Sequence, residues 1–365
     1  MGGGGFLAFP KQGSPSMARK VVVVTGANAG IGRETTRRLV KEGARVVMAC
    51  RNVDAAQEVA AAIRAEGWTG QVEVGPALDL ADERSIGAWC SAFLKKNDRL
   101  DVLVNNAGLG PQLESYVRGI VLMAQVNYLG PYALTRGLES VLARTAAREG
   151  HARIVNVSSV TSRFAFIPSA REFLTSHPRG QYAHTKLANA LFSNEAQRRY
   201  AALGIRSCAV DPGAVRSDLW RKQAVESFRS GPLSWVIGLL YSPPWDGCEA
   251  VVHACTVPWE RDAPRPSGAT APERDLRFYA RGWFASPAVT AAPEGGGRGL
   301  AKQLWGLGAL AASVLDWPTR FVTLGLLASG TRAVRMNPCA LREDLARELW
   351  DESAAVLRIS PEPVA

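Results

Sequence analysis

Apolar runs alternate with helical stretches from Lys20 to Val210, and this alternation predicts an α/β fold on a doubly wound parallel sheet. Two further observations agree. Residues 21–24 are all valine. A strand with one wet face would alternate with polar residues, so this one is buried on both faces, as parallel strands are. The run stops at Thr25-Gly26 and passes through Gly30 and Gly32 into a helical stretch over 33–40. Glycines at a strand-to-helix turn adopt backbone angles closed to other residues. They also let a phosphate reach the amides at the helix N-terminus, which is the chemistry of a dinucleotide pyrophosphate site. A P-loop is excluded, because it needs four residues between its glycines and then a Lys, whereas Arg33 follows Gly32.

The remaining elements follow in order. Residues 45–49 carry a second apolar strand, and 53–66 is Ala-rich with charges at helical spacing. A strand is expected over 71–78, a helix over 82–96 and a strand over 100–104. The stretch from about 115 to 148 reads as one long helical region. Strand 153–157, helix 182–203 and strand 205–210 complete the alternation. Beyond Val210 the pattern loosens. Residues 215–241 mix aromatic and aliphatic side chains with breakers, 248–255 reads as a short helix, 259–273 as loop, and 278–284 as a last edge strand. A Pro/Gly-rich linker covers 288–299. Residues 304–328 are the most apolar part of the tail, but Asp316, Pro318 and Arg320 interrupt them. A membrane span needs about 20 largely uncharged residues, so two short helices are expected there. Packing on the domain is the preferred reading, with a partner or a lipid surface as alternatives. An amphipathic helix over 341–357 closes the chain. The expected organisation is a disordered segment over 1–18, one main domain over 19–287, an insertion of unknown role over 288–338, and a C-terminal helix within 339–365.

At 365 residues the chain can hold one such domain with additions. Its six cysteines form no CxxC pair and no metal-ligand spacing, and it has only four histidines. No metal is expected, and a reducing compartment is. A net charge of +10 can draw phosphorylated cofactors, anionic lipid or nucleic acid. No aromatic-basic interleaving marks a nucleic-acid platform, so a solvated basic surface is preferred and no nucleic-acid partner is expected. Phe6-Leu7-Ala8-Phe9 is too short for a signal core or a span. Phe6 also stands where a myristoylation motif wants Ser or Thr. An organelle address in the basic N-terminus stays open.

Three later stretches put polar groups at strand ends, where a doubly wound sheet opens its ligand crevice, and a fourth puts them on a helix. Asp79-Leu80 follows the third strand. Its carboxylate can accept from an adenine amino group or cap the next helix, and the residues alone do not choose. Asn105-Asn106-Ala107-Gly108 ends the fourth strand with residues small enough for a ribose to come close. The apolar strand 153–157 ends in Ser158-Ser159, whose hydroxyls point to opposite sides of an extended chain. Tyr182 and Lys186 lie at i and i+4 on one helix face. A phenol with a reference pKa of about 10 is a poor base at neutral pH, and a neighbouring ammonium is expected to lower it. Alone, such a pair is usually a surface pair; following Ser159 and the glycine turn, it is not. His184, within the same span, is read as incidental.

Thr25-Gly26-Ala27-Asn28-Ala29-Gly30-Ile31-Gly32 and the motifs above resemble the classical short-chain dehydrogenase/reductase superfamily, from Lys20 to about Leu219. The fold this implies is a Rossmann-type sheet in a single main domain with a C-terminal extension. Ala49-Cys50-Arg51, Tyr182-Ala183-His184-Thr185-Lys186-Leu187-Ala188-Asn189, Asp211-Pro212-Gly213-Ala214-Val215-Arg216-Ser217-Asp218-Leu219 and Glu348-Leu349-Trp350-Asp351 are most similar to its retinol dehydrogenase-like branch. The resemblance implies a reversible carbonyl/alcohol oxidoreductase with a catalytic set of Asn127, Ser159, Tyr182 and Lys186. In that set Tyr182 exchanges the proton and Ser159 steadies the substrate oxygen. Lys186 lowers the tyrosine pKa and binds the nicotinamide ribose, and Asn127 bends its helix and holds a relay water. Cofactor contacts are implied at Gly26, Asn28, Gly30, Ile31, Gly32, Arg51, Asp79, Leu80, Asn106, Ala107, Gly108, Tyr182, Lys186, Pro212, Gly213 and Val215. Asp211 departs from the family, where His is more usual. The N-terminal anchor of many members is not expected, and nothing in the family accounts for 288–338.

An acid at the end of the second strand would bond the ribose 2′-hydroxyl of NAD and repel a 2′-phosphate. Here that strand ends Met48-Ala49-Cys50-Arg51-Asn52, with no acid before Asp54. The fork of Arg51 suits phosphate oxygens, and Arg33 could add a second cation, so NADP(H) is expected over NAD(H). The expected substrate is a small lipophilic carbonyl or alcohol of the retinoid, steroid or fatty aldehyde/ketone class, with specificity in 215–241. An inactive NAD(P)-binding sensor or scaffold is the rival reading, and the intact Ser159, Tyr182 and Lys186 argue against it. An epimerase or dehydratase with tightly bound cofactor is another, opposed by the glycine spacing and the Asn-Asn-Ala-Gly stretch. The expected location is the cytoplasm or the surface of an intracellular membrane. Peripheral membrane contact through 304–328 and a homo-oligomer stay open.

Overall fold

The valines of the first strand, Val21–Thr25 (β1), divide between two cores. Val21 and Val23 join one apolar cluster, Val22 and Val24 a second. Only a strand covered on both faces can do this. The computed structural model describes residues 17–110, 115–176, 181–213, 215, 243–259, 277–281, 331–334 and 338–363, with backbone only for 164, 277–281, 331–334, 338 and 339. In chain order the elements after β1 are α1 (Gly30–Lys41), β2 (Arg45–Ala49), α2 (Val53–Ala65), β3 (Gln71–Val74), α3 (Glu83–Lys96) and β4 (Val102–Asn105). A hairpin of β5 (Tyr116–Val117) and β6 (Ile120–Val121) follows, then α4 (Leu122–Ala124), a π-helical turn (Gln125–Leu129), α5 (Gly130–Gly137) and α6 (Glu139–Glu149). Next come β7 (Ala152–Val157), a 3₁₀ turn (Val160–Phe164), α7 (Ala170–Thr175), α8 (Gln181–Tyr200) and β8 (Ile205–Asp211). The chain ends with α9 (Pro244–Thr256), β9 (Arg277–Arg281), β10 (Thr331–Val334) and α10 (Glu343–Leu357).

The main sheet runs β3-β2-β1-β4-β7-β8-β9-β10, parallel throughout except for β10. Strand order reverses beside β1, with β2 on one side and β4 on the other, and the ligand crevice of such a sheet opens beyond these strands' C-terminal ends. Residues of α3, α5, α6, α8 and α10 close one face, and those of α1, α2 and α9 close the other. The doubly wound Rossmann-type architecture expected from the alternation is the one found.

Three expectations change. The third strand stops at Val74 rather than running to 78, where Gly75-Pro76 follows and Pro76 has no N–H for a ladder. The region from 115 to 148 is not one helix. Its start is the β5–β6 hairpin, turned by Arg118 and Gly119 at φ 51° and 78°, and its helix breaks again between Gly137 and Glu139. The strand expected at the edge over 278–284 is β9, but it is flanked by β10, which comes from within 288–338 and pairs antiparallel with it. The readings for 1–16, 216–241, 288–299 and 304–328 lie outside the described residues. Among the described residues no helix is long and apolar enough to cross a membrane.

α10 is docked by an aromatic cluster. Trp350 lies edge-on to Tyr132 at 4.9 Å between centroids and also meets Phe192 and Tyr200. The Arg136 and Arg199 guanidinium carbons stand 5.5 and 5.1 Å from its ring centroid. Tyr128 donates to the Leu349 carbonyl at 3.2 Å and accepts from Ser353 at 3.0 Å. The helix that follows the π turn and the helix that carries Tyr182 are thereby clamped from one side.

Candidate active site

The site begins at the end of β1. Thr25 is buried, and its hydroxyl accepts from the Asn106 and Ala107 amides at 2.9 and 3.0 Å while donating to the Val104 carbonyl at 3.3 Å. The Asn106 amide group donates back to the Thr25 carbonyl at 2.8 Å. Its side chain therefore braces the glycine turn. Gly26, at φ 63°, sits against Ala107. A Cβ on Gly32 would overlap both Asn106 Nδ2 and the Gly26 carbonyl oxygen, so the close approach there requires glycine.

The turn fits a dinucleotide phosphate. The N-cap residue of α1, Ala29, makes no side-chain cap bond, and no acid stands in the helix's first turn. By contrast α2, α3 and α7 are capped by Asn52, Asp82 and Ser169. The first amides of α1, with the positive end of its dipole, are left for an anion. Asn28, Gly30 and Ile31 lie in this turn, half-buried. The Ala27 and Asn28 amides point at the buried Cys50 thiol, whose pKa burial still pushes up to about 11.

Arg51, one residue further, is exposed and makes no hydrogen bond or ion pair among the described residues. Arg33 does not join it as a free cation: its guanidinium bonds Glu34 at 3.0 Å. The first acid after β2, Asp54, stands in the opening turn of α2. Asp79 proves not to be the cap of α3, which is Asp82. It accepts instead from the Ala81 amide at 2.9 Å. Leu80 is buried, and its carbonyl accepts from Gln125 at the start of the π turn.

Asn127 lies in that π turn, buried. Its side chain exchanges two bonds with the Leu109 backbone, at 2.6 and 2.9 Å, and donates to Thr185 at 3.1 Å. It packs on Gly108. Asn127 thus ties the loop after β4 to the helix carrying Tyr182 and Lys186.

At the end of β7 the two serines part as an extended chain requires. Ser158 turns inward and donates to the Lys186 carbonyl at 2.7 Å. Ser159 caps the following 3₁₀ turn and is hydrogen-bonded with Tyr182. Lys186 is buried, with Nζ 5.5 Å from the Tyr182 ring centroid and donating to the Val157 carbonyl at 2.9 Å. The expected depression of the tyrosine pKa is not found. Burial raises it, the Asp211 carboxylate raises it further, and only the Ser159 bond lowers it. Burial pushes Lys186 down to about 8, against the pull of Asp211. Past β8, Pro212 is buried and Gly213 takes φ 81°. The Gly213 amide donates to Asp211 at 2.9 Å, and Val215 packs against Gly247.

Sequence reasoning missed Arg163, buried on the 3₁₀ turn, and noted Asp211 without a role. An acid ending an otherwise apolar strand was the available signal for Asp211. Arg163 offered none, because nothing local shows that it turns inward. Also missed was the buried chain that links β4, β7 and α8. In it Asn105 donates to Asn156 at 2.8 Å, and Asn156 to Ser193 at 2.8 Å. Among the described residues no group of three His, Cys, Asp or Glu could hold a metal ion.

A doubly wound sheet, a phosphate-ready turn at its switch point and a Ser-Tyr-Lys group across the crevice define a nucleotide-dependent oxidoreductase class. Comparison makes the assignment specific. Residues 20–226 match the family model described as short chain dehydrogenase. Retinol dehydrogenase 12 of Bos taurus is 38% identical over 246 residues, covering 64% of this chain and 72% of the relative. The human retinol dehydrogenase 12 is 41% identical over 56% of this chain and 65% of its own length. A crystal structure from Mycobacterium paratuberculosis shares the fold, with TM-score 0.61 and 24% identity, covering 96% of this chain and 97% of that one. The chain belongs to the short-chain dehydrogenase family, in its retinol dehydrogenase-like branch, and is an NAD(P)-dependent oxidoreductase acting on CH–OH groups.

Proposed function

We propose that this chain is an NADP(H)-dependent oxidoreductase interconverting a carbonyl and an alcohol on a lipophilic substrate of the retinoid, steroid or fatty aldehyde/ketone class. The observation that carries the reading is that Ser159, Tyr182 and Lys186 converge across the crevice from the uncapped turn of α1. When bound, the nicotinamide supplies or accepts the hydride. Ser159 hydrogen-bonds the substrate oxygen and steadies its developing charge. Tyr182 gives that oxygen a proton in reduction and takes it back in oxidation. Lys186 binds the nicotinamide ribose, and Asn127 supports a water relay to it.

Preference for a 2′-phosphate rests on Arg51, exposed and free of acids at the end of β2, since Arg33 is engaged by Glu34. A charge-assisted contact of this kind contributes about 1.5–3 kcal/mol, roughly ten- to hundredfold in affinity. The lipophilic class is supported by the Trp, Leu and Phe content of 215–241 and by relatives named retinol dehydrogenases 11 and 12. We assign the protein to the cytoplasm or the surface of an intracellular membrane.

The test titrates NADPH and NADH into wild type and Arg51→Ala, with turnover measured on retinal, steroid ketones and fatty aldehydes. NADPH should bind ten- to hundredfold tighter, with the gap closing in the variant. Equal affinities in the wild type, or a preference untouched by the substitution, would remove the NADP(H) assignment. Conversion that needs only catalytic cofactor would mean an epimerase or dehydratase, and binding without turnover a sensor.

A further inference from the structure

The ladder between β4 and β7 ends in a way that frees one carbonyl. Arg153 donates to the Asp101 carbonyl, so alternate residues from it, as far as Val157, turn their backbone groups toward β4. The last pair is Asn105 with Asn156. The amide next in line for the Val157 carbonyl is that of Ala107, and the Thr25 hydroxyl accepts it instead. Two side chains of α8 take its place on Val157. Lys186 donates its ammonium at 2.9 Å, and Asn189, three residues on, donates its side-chain amide at 3.2 Å. All three residues are buried.

Asn189 is itself held from behind. Its carbonyl accepts from Ser193, Ser193 accepts from Asn156, and Asn156 accepts from Asn105, each at 2.8 Å. One turn earlier, the Lys186 carbonyl accepts from Ser158 at 2.7 Å. This stretch of α8 is therefore registered against the ends of β7 and β4 by a continuous set of bonds. The Asn189 Oδ1 is buried without a hydrogen-bond partner among the described residues. Such an atom costs stability, and a polar residue kept at that cost suits a functional site.

We propose that Asn189 is a positioning residue for Lys186. Its Nδ2 occupies one side of the Val157 carbonyl and holds the oxygen in line for the ammonium. An ammonium has three N–H groups in fixed mutual directions. With one anchored on Val157, the other two are aimed at the nicotinamide ribose and at Tyr182. The proposal rests on the role given above to Lys186.

The experiment is a double-mutant cycle on Asn189→Ala and Lys186→Met. Cofactor affinity is read by fluorescence titration with NADPH, or with NADH if that binds the tighter, and kcat is measured beside it. Asn189→Ala should weaken binding about three- to tenfold and lower kcat about tenfold, the worth of one buried hydrogen bond. In the Lys186→Met background the same substitution should change affinity less than about twofold, because residues acting through one contact are not additive. Affinity and kcat near wild type in Asn189→Ala overturn the proposal. An equal loss of affinity in both backgrounds overturns it too, since that is general loosening of the fold. If Asn189→Ala does not fold, Asn189→Leu, which also removes the donor, is read in the same way. If neither folds, a crystal structure of the wild type with its cofactor decides. Lys186 and Asn189 both within hydrogen-bond distance of the Val157 oxygen support the proposal, and an ammonium that has left that oxygen overturns it. Lys186→Met separates the failures. Wild-type affinity in that variant removes the role of Lys186 itself, whereas weakened binding there beside an additive or harmless Asn189→Ala removes Asn189 alone.

Discussion

Tyr182 is pulled in two directions by its surroundings. Burial and Asp211 hold its proton on, and the bond with Ser159 loosens it. Lys186, pushed down to about 8 by burial, is the member of the pair that titrates nearer neutrality. The phenol is therefore a proton donor at rest, which suits carbonyl reduction. Tyr182→Phe keeps the ring, which packs against the core, and deletes the hydroxyl. Loss of a general acid of this kind costs about 10²–10⁴-fold, so kcat/KM should fall by that much. Cofactor affinity by fluorescence titration should stay within a few-fold of wild type. Near-normal turnover in the variant would exclude Tyr182 from the proton transfer.

At the scale of the elements, the β1–α1 turn depends on a single small residue. Asn106 bridges the Thr25 and Gly26 carbonyls where a Gly32 side chain would have to go. The obstacle is partly backbone, so the strain cannot be relieved by rotating a side chain. Gly32→Ala should lower stability by about 1–3 kcal/mol, the usual cost of overpacking. It should weaken cofactor binding more than tenfold, because Asn106 and the amides of α1 shift together. Calorimetry and cofactor titration of the purified variant check both. Unchanged binding would show that the turn does not hold the phosphates. The π turn acts at the same scale: by placing Asn127 between Leu109 and Thr185 it fixes α8 relative to the loop after β4.

Over the whole molecule, the C-terminal helix is part of the scaffold of the site. Trp350 fills the space between Tyr132, Phe192 and Tyr200, and its indole N–H donates to the Pro361 carbonyl at 2.7 Å. Deleting a buried tryptophan costs about 3–5 kcal/mol, and each kcal/mol lowers the midpoint by about 2–4 °C in a domain of this size. Trp350→Ala should therefore melt roughly 6–20 °C lower by differential scanning calorimetry. Below that transition cofactor binding should persist, since the phosphate turn lies on the opposite face of the sheet. An unchanged midpoint would mean that α10 is not docked as described.

The alternation of strands and helices, the glycine turn and the spacing of Ser159, Tyr182 and Lys186 were legible in the sequence, because each is written in local periodicity or in a spacing of a few residues. The hairpin before α4 and the addition of β10 to the sheet were not. The first turns on two left-handed residues inside a helical-looking run, and the second is a pairing across about fifty residues of chain. The charges of the site were legible least of all. From Lys186 at i+4 the phenol should be more acidic than usual, yet in the fold burial raises its pKa and Asp211 raises it further. Arg33 offered a possible second cation by position, and in the fold it pairs with Glu34. Sequence by itself determined which groups this protein brings to its crevice. Tertiary structure decided their protonation, because ionisation depends on exclusion of water and on charges that only folding brings together.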